Sequence, residues 1–341
     1  MPTIQDVADR AQVSKSTVSY AFNKPHLVSA QTLDRILTAA REINYQPNIF
    51  AQGLAGGRTQ MIGLLLPDIR YPYNATIARG IEDRLRKEGY IVVTSSTGGD
   101  TEEIITLLGQ LHRRGVSGFI LVPSYFGFNP RLIQTIEAMA VGKIPIVVAG
   151  YETDNQQILQ VTNRPKAGAI EAVNHLIALG HRDIAYLGAH HSEGNAIFRF
   201  LGYQASHVKA GLPMRPELII ETAINPQQLS NDLAALFELA SPPTAIFSLN
   251  DVVTCAILDF CYRRQIQIPE DLSVVSFDYQ ALVQRQTPGI TSVVVPVYEV
   301  GKLAAELLLE RLNDPASQVR QIELAYTFEL RDSTRPPQKK S

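Results

Sequence analysis

Nine residues, Lys15 to Asn23, carry Lys15, Ser16, Thr17, Ser19, Tyr20 and Asn23. A cation, small hydroxyls, a phenol and an amide at this density can bond phosphates and base edges. The apolar pair Val18 and Phe22, four apart, puts these groups on the polar side of one helix. A second set lies far downstream. Ser124, Asn250 and Asp278 each sit at or just past the end of a short apolar run, and Arg199 lies three residues before Gly202-Tyr203. An arginine, carboxylates and an amide that converge can hold a polyol or carboxylate ligand directionally. Tyr71, Tyr73 and Phe277 stand ready as aromatic walls.

The first set needs a helical frame. Thr3 with Asp6 has capping-box spacing, and Ile4, Val7, Ala8 and Ala11 follow helical periodicity. A turn at Gln12-Val13-Ser14 leads into the second helix, with Ser14 as N-cap. A third helix starts after Ser29 and is expected to bury Leu33, Ile36, Leu37, Ala40 and Ile43. Two short helices joined by a tight turn fit a helix-turn-helix; periodicity alone fits a plain three-helix bundle equally well. By position, Lys15, Ser16 and Tyr20 point to base contacts, and Thr17, Ser19 and Asn23 to phosphates. Lys24, Asn48 and Arg58 are secondary phosphate candidates. Residues 48–58 then read as a two-turn helix containing Gly53 and closed by Gly56-Gly57. Alone, so short a helix is unstable in water. It is expected to order on DNA; composition by itself fits an ordinary linker.

The second set needs strand ends. From Met61 the pattern alternates between apolar runs and helical segments. Strands are predicted at Met61–Leu66, Tyr90–Ser95, Gly118–Pro123, Pro145–Ala149, Ile184–Gly188, Ala245–Leu249 and Ser273–Phe277. The helices between them are predicted at Tyr73–Glu88, Thr101–Arg113, Pro130–Val141, Lys166–Leu179, Asn195–Ala210, Gln227–Leu239 and Asp251–Arg264. Such alternation means parallel sheets with right-handed crossovers, here two Rossmann-like α/β lobes. Ligands bind at the carboxyl ends of such strands, which places the site in the cleft between lobes. Plainer duties compete: Asp251 reads as a helix cap rather than a ligand, Asn250 can share that duty, Asp278 can be a turn residue, Tyr71 and Tyr73 can be core, and Arg199 can pair with a nearby acid.

The chain has 341 residues, 45% of them hydrophobic and 19% charged, with net charge −2. Within residues 1–60, six basic residues (Arg10, Lys15, Lys24, Arg35, Arg41, Arg58) face four acidic ones (Asp6, Asp9, Asp34, Glu42), a balance of +2. So weakly basic a head suggests modest nonspecific DNA affinity. Met1 runs straight into a capped helix with no signal-peptide pattern, and no apolar run reaches membrane-span length. Cys255 and Cys261 fall on different faces of one helix and read as reduced thiols. These features suggest a cytoplasmic protein and argue against an exported solute-binding protein. The enzyme motifs GxGxxG, GxxxxGK[ST], HExxH and GxSxG are absent. No catalytic residue, metal site or cofactor is expected.

The head resembles that of the LacI/GalR family of bacterial transcription regulators. The matching residues are Thr3-Ile4-Gln5-Asp6-Val7-Ala8, Ala11, Val13-Ser14, Thr17-Val18-Ser19, Val28-Ser29, Thr32, Asn44-Tyr45 and Pro47-Asn48. Asn48, Ala51, Leu54 and Ala55 match the family hinge, and further similar stretches are Ile62-Gly63-Leu64, Arg79-Gly80-Ile81-Glu82, Gly180-His181-Arg182-Asp183-Ile184-Ala185 and Pro269–Val275. The resemblance covers nearly the whole chain. It implies an all-α helix-turn-helix headpiece (1–47), a hinge (48–60) and a two-lobed, periplasmic-binding-protein-like core (61–331). It implies chain crossings near Asn155–Val161, Gly289–Ser292 and Ile322–Leu324. Lobe one is then about 61–160 and 292–322, including a helix at Pro296–Leu312, and lobe two about 161–290 and 323–331. The tail 332–341 lacks a leucine heptad and is expected to be disordered.

The same resemblance implies that paired hinges enter the minor groove with Leu54 as a wedge, and that Arg199, Asn250 and Asp278 contact an effector beside Tyr71, Tyr73, Ser124 and Phe277. It implies a homodimer on pseudo-palindromic operator DNA, more often repressing than activating. Two departures stand out. Tyr20 stands where the family often has arginine or histidine. Gly150 ends the fourth strand where many sugar-responsive members have aspartate. The effector is therefore open among sugars, sugar phosphates, nucleobases and other metabolites, and the loop at His190-His191 reads as solvated rather than metal-binding. Rival readings of the two-lobed cleft are a solute-binding protein or an enzyme.

Overall fold

The computed structural model describes residues 2–46, 59–123, 129–153, 155–188, 196–221, 226–277 and 288–338. The chain divides into two compact units: Met1–Met61 with Gln110–Ser117, and Ile62–Gly109 with Gly118–Ser341.

In the first unit, α1 (Ile4–Ala11) begins in a complete capping box. Thr3 Oγ1 accepts from the Asp6 backbone while the Asp6 carboxylate accepts from Thr3 N at 2.7 Å. α2 (Lys15–Asn23) is capped by Ser14 and α3 (Ala30–Glu42) by Ser29, each accepting from the N3 backbone amide. Val7, Ala8, Ala11, Val18, Ala21, Ile36, Ala39 and Ala40 form the core, with Phe22 and Tyr45 packed at its margin. One expectation fails here. Leu37 is 37% exposed and Ala39 is buried instead, because the inward stripe of α3 runs through 36, 39, 40 and 43 and leaves 37 on its flank.

The core builds two six-stranded sheets. The strands are β1 (Met61–Leu66), β2 (Ile91–Ser96), β3 (Gly118–Leu121), β4 (Ile146–Ala149), β5 (Leu159–Thr162), β6 (Ile184–Gly188), β7 (Ile219–Glu221), β8 (Ala245–Ser248), β9 (Ser273–Phe277), β10 (Thr291–Val294), β11 (Gln321–Glu323) and β12 (Thr327–Glu329). Sheet one has the order β11-β5-β4-β3-β1-β2 and sheet two β12-β10-β9-β8-β6-β7. Only the β10–β12 pairing is antiparallel among the registers seen. Lobe one carries α4 (Pro72–Arg86), α5 (Thr101–Arg113), α6 (Pro130–Val141) and α11 (Val297–Asn313). Lobe two carries α7 (Pro165–Ala178), α8 (Ala196–Ala210), α9 (Pro226–Phe237) and α10 (Asp251–Arg264). Most strands are buried end to end, as sheets covered on both faces require. Helices α4 and α11 approach so closely that a Cβ on Gly80 would strike the Tyr298 carbonyl, and one on Gly301 the Ile77 carbonyl. No helix among the described residues is long and apolar enough to cross a membrane.

The chain passes between the sheets three times, later than the sequence suggested for the first two. The segments expected to cross near 155–161 and 289–292 contain strands β5 and β10. The passages follow them, at 163–164 and 295–296, and the third lies at 324–326 between β11 and β12. Leu-Gln-Val-Thr and Thr-Ser-Val-Val are too short and too polar to show as apolar runs, yet parallel neighbours bury them. Each passage leaves a strand at its carboxyl end. The helices α7 and α11 run back antiparallel to the strands they cover, so they too begin at a carboxyl end. The third passage enters β12 beside Val294, the last residue of β10. All three passages therefore join the carboxyl end of one sheet to that of the other, and the space between the lobes is bounded by those ends.

The expected disorder of the tail is corrected for its described part. Ser333 is fully buried; its carbonyl accepts from Val274 N at 2.9 Å and its hydroxyl from Thr291 N at 2.9 Å. Arg335 N donates to Ser273 Oγ at 3.1 Å. His181 lies beneath: Nε2 is 2.9 Å from the Arg335 carbonyl and Nδ1 2.8 Å from Thr244 Oγ1. His175 Nε2 meets Thr334 Oγ1 at 2.9 Å. The tail thus supplies backbone partners beside the amino-terminal ends of β9 and β10, a role that polar, proline-containing composition conceals.

Burial lowers the affinity of His175, His181 and His207 for protons. The unfolded chain, whose histidines titrate near pH ~6.5, then binds more protons than the folded one as pH falls. Stability is complete above that pH and declines as pH drops through the lower folded values. Urea midpoints should fall between pH 7.5 and 5.5, with a shallower decline in His181→Gln; a midpoint flat across that range contradicts the assignment.

Candidate functional site

The DNA-facing candidates are built on the start of α2. Ser14 Oγ caps the helix and lies 2.7 Å from Ser16 Oγ and 2.8 Å from Thr17 Oγ1. Lys15 and Ser16 are exposed, Thr17 and Ser19 are half-buried, and Tyr20 is 50% exposed. The hydroxyls of Ser16 and Thr17 are thus oriented by the cap, while Lys15 and Tyr20 project freely. A helix N-terminus with exposed donors suits anionic phosphates. Asn23 closes α2, and Lys24 follows it, exposed. Asn48, Ala51, Leu54 and Arg58 lie outside the described residues.

The cleft candidates converge in lobe two. Arg199, on α8, is only 2% exposed. Its Nη1 donates to the Leu249 carbonyl at 2.5 Å, and its guanidinium lies 4.0 Å above the Phe277 ring centroid. The ends of β8 and β9 therefore hold this cation, one by a carbonyl and one by a π face. Phe277 is corrected from pocket wall to platform: it is fully buried under Arg199, and its other side packs against Gly168. The cap of α10 is also corrected. Asn250 rather than Asp251 is the N-cap, its Oδ1 accepting from Val253 N at 2.9 Å. Asp251 is the buried first helical residue. With its oxygen committed, Asn250 can offer a ligand its amide N–H groups. Asp278, Ser124 and the His190-His191 loop lie outside the described residues.

Behind Asn250 runs a hydroxyl network that sequence reasoning missed. Thr254 Oγ1 lies 2.9 Å from Ser248 Oγ, 2.8 Å from the Asn250 carbonyl and 2.7 Å from Ser276 Oγ. Ser292 Oγ donates to the Ser276 carbonyl at 3.1 Å. All four hydroxyl residues are fully buried. They tie the ends of β8 and β9 to the first turn of α10, and β10 to β9. Serines and threonine inside otherwise apolar runs were the available signal.

In lobe one, Tyr71 is the exposed residue before α4 and Tyr73 is half-buried in its first turn. Gly150 follows β4 with φ +75°, and a Cβ built there would sit 2.5 Å from the Tyr73 hydroxyl. Tyr73 therefore fills the space that a side chain at 150 would need. Both cysteines are free, Cys261 buried with its thiol pushed up to about 12 by desolvation. Among the described residues no group of three or more His, Cys, Asp or Glu side chains could hold a metal ion.

Residues 3–48 match the family described as bacterial regulatory proteins, lacI family, and residues 173–334 match a periplasmic binding protein-like domain. The chain is 31% identical over 335 residues to the HTH-type transcriptional repressor PurR of Aliivibrio fischeri (strain ATCC 700601 / ES114), covering 98% of each. Among solved structures it resembles the Lac repressor dimer bound to operator and the anti-inducer ONPF, with TM-score 0.83, 26% identity and coverage of 98% of this chain and 99% of that one. It also resembles a LacI family transcriptional regulator from Enterococcus faecium with bound ribose, with TM-score 0.72, 28% identity and coverage of 82% and 100%. With a capped helix-turn-helix head, two parallel sheets opposed at their carboxyl ends and relatives matched along nearly its full length, the chain belongs to the LacI family: it is a DNA-binding transcriptional regulator with an effector-binding core.

Proposed function

We propose that this regulator is a cytoplasmic homodimeric repressor. Lys15, Ser16 and Tyr20 read base edges, Thr17, Ser19 and Asn23 bond phosphates, and the hinge around Asn48, Ala51 and Leu54 enters the minor groove. The observation that carries the reading is the Ser14-capped start of α2, which leaves Lys15, Ser16 and Tyr20 outward. Tyrosine cannot make the paired hydrogen bonds by which arginine reads guanine, so the base pair facing Tyr20 is chosen by a single hydroxyl and an aromatic edge.

The effector sits at the carboxyl ends of both sheets, with Arg199, Asn250, Asp278 and Ser124 as hydrogen-bonding groups and Tyr71 and Tyr73 as walls. Phe277 acts through Arg199. The cleft serves to bind rather than to catalyse, a reading supported by relatives that are transcriptional regulators. Ribose, bound by the Enterococcus faecium structure, is the first compound to test. With Tyr73 in the space beside Gly150, lobe one offers an uncharged phenol there. Sugar phosphates and nucleobases therefore belong in the same panel. Effector binding shifts operator affinity only by its unequal affinity for the two lobe arrangements.

Three outcomes follow. In a binding-site selection, Lys15→Ala and Tyr20→Ala change the preferred sequence, whereas Lys24→Ala lowers affinity for all sequences alike; unchanged preference in the first two refutes the readout. Leu54→Ala weakens binding to the selected site by tenfold or more at unchanged thermal stability, and equal affinity removes the wedge. In a thermal-shift panel of sugars, sugar phosphates, nucleobases and amino acids, the effector stabilises the chain by about 2.7 kcal/mol at 100-fold above its Kd. Arg199→Ala abolishes that shift, and a full shift in the variant removes Arg199 from the site.

A further inference from the structure

The turn that follows α5 carries a pair of cations that the helix-turn-helix reading does not use. Arg113 is the last residue of α5, Arg114 follows it, and both are exposed beside exposed His112. Among the described residues neither arginine forms an ion pair; Arg114 reaches only the Gln110 side-chain oxygen, at 3.3 Å. Elsewhere on this surface arginines are routinely paired, as in Arg79–Asp83, Arg131–Glu102 and Arg263–Asp259.

This turn is also where the chain arriving from the DNA-binding head is fastened. The Thr59 hydroxyl donates to the Gly115 carbonyl, the Ser117 hydroxyl donates to the Thr59 carbonyl, and Ser117 N donates to the Met61 carbonyl at 2.9 Å. Thr59 is buried in the process. Residues 110–117 accordingly cluster with Met1–Met61 rather than with the sheet that α5 and β3 belong to. The twelve residues 47–58 that lead here from the head span at most ~40 Å even if fully extended, and the head itself is only weakly basic.

We infer that Arg113 and Arg114 form a second, sequence-independent DNA contact, bonding backbone phosphates of the duplex that the head reads. The inference rests on the DNA-binding function of the chain. Guanidinium groups suit phosphate oxygens geometrically and by charge. Two unpaired cations per protomer add to a head and hinge, residues 1–60, whose own balance is +2. A helix C-terminus also favours basic residues through its dipole. That role would affect stability and leave the salt dependence of DNA binding untouched.

The test uses the full-length chain, a duplex selected by the wild type from random sequences, and a scrambled duplex of equal length. Each is titrated by fluorescence anisotropy from ~50 to ~300 mM NaCl. Each phosphate that is no longer neutralised reduces the slope of log K against log salt by about 0.9. Arg113→Ala/Arg114→Ala should therefore flatten the slope by roughly 2 to 4 for a dimer, equally on both duplexes, with site preference and melting temperature unchanged. Arg113→Lys/Arg114→Lys should restore most of the slope. An unaltered slope in the alanine pair, with or without a lower melting temperature, overturns the inference, as does a changed site preference. A wild type that selects no sequence and binds neither duplex would overturn the DNA-binding function and this inference together. A wild type that selects a site while the alanine pair keeps its slope overturns this inference alone.

Discussion

The three chain passages at the carboxyl ends of the strands are the constraint on which the core depends. A parallel sheet exposes its unfinished loops and helix starts at one end only, and here both sheets turn that end toward the other. Any molecule held there touches residues from both lobes, and any change in the angle between lobes is taken up by the short passages at 163–164, 295–296 and 324–326. Under the proposed function, binding and lobe movement would be one event. No separate relay is required, since a ligand that touches both sheets favours the arrangement in which both sets of interactions are made.

The candidate residues of lobe two are held in place without a ligand. A charged guanidinium pays heavily for leaving water unless it is bonded and well surrounded. Arg199 keeps 2% of its surface exposed while a carbonyl from the end of β8 and the Phe277 ring from the end of β9 hold it. The hydroxyls of Ser248, Thr254, Ser276 and Ser292 fix those same strand ends to α10. Buried hydrogen-bonded networks of this kind rigidify their surroundings, so less side-chain entropy remains to be lost on binding. Lobe one is arranged differently. There a single aromatic side chain, Tyr73, takes the space opposite Gly150.

The regular elements were legible because their signals are local. The capping box at Thr3, the caps at Ser14 and Ser29 and the bounds of α5, α6 and α10 follow from side chains within four residues of one another. Strands β1, β6 and β9 are apolar enough to stand out from their flanks. What escaped is set by partners distant in sequence. β5 and β10 are strands because β4 and β9 pair with them, and the tail is held because the Ser333 carbonyl and hydroxyl accept from Val274 N and Thr291 N. Among site residues, the approach of Arg199, Asn250 and Phe277 to a common region was legible from strand order. Their division of labour was not. Whether an asparagine oxygen faces a ligand or its own helix, and whether a phenylalanine is wall or platform, is decided by a few ångströms of packing that spacing does not encode.

The modest charge of the head bears on regulation. Arg10 is tied to Glu42 at 2.6 Å, which occupies one of the six cations of residues 1–60 and leaves their balance at +2. Nonspecific affinity scales with the number of phosphates neutralised. A strongly basic head would stay on DNA in either lobe arrangement, and an effector worth about 1–3 kcal/mol of coupling could not remove it at cellular salt. A weakly basic head makes occupancy depend on interactions that require the two protomers to be correctly disposed.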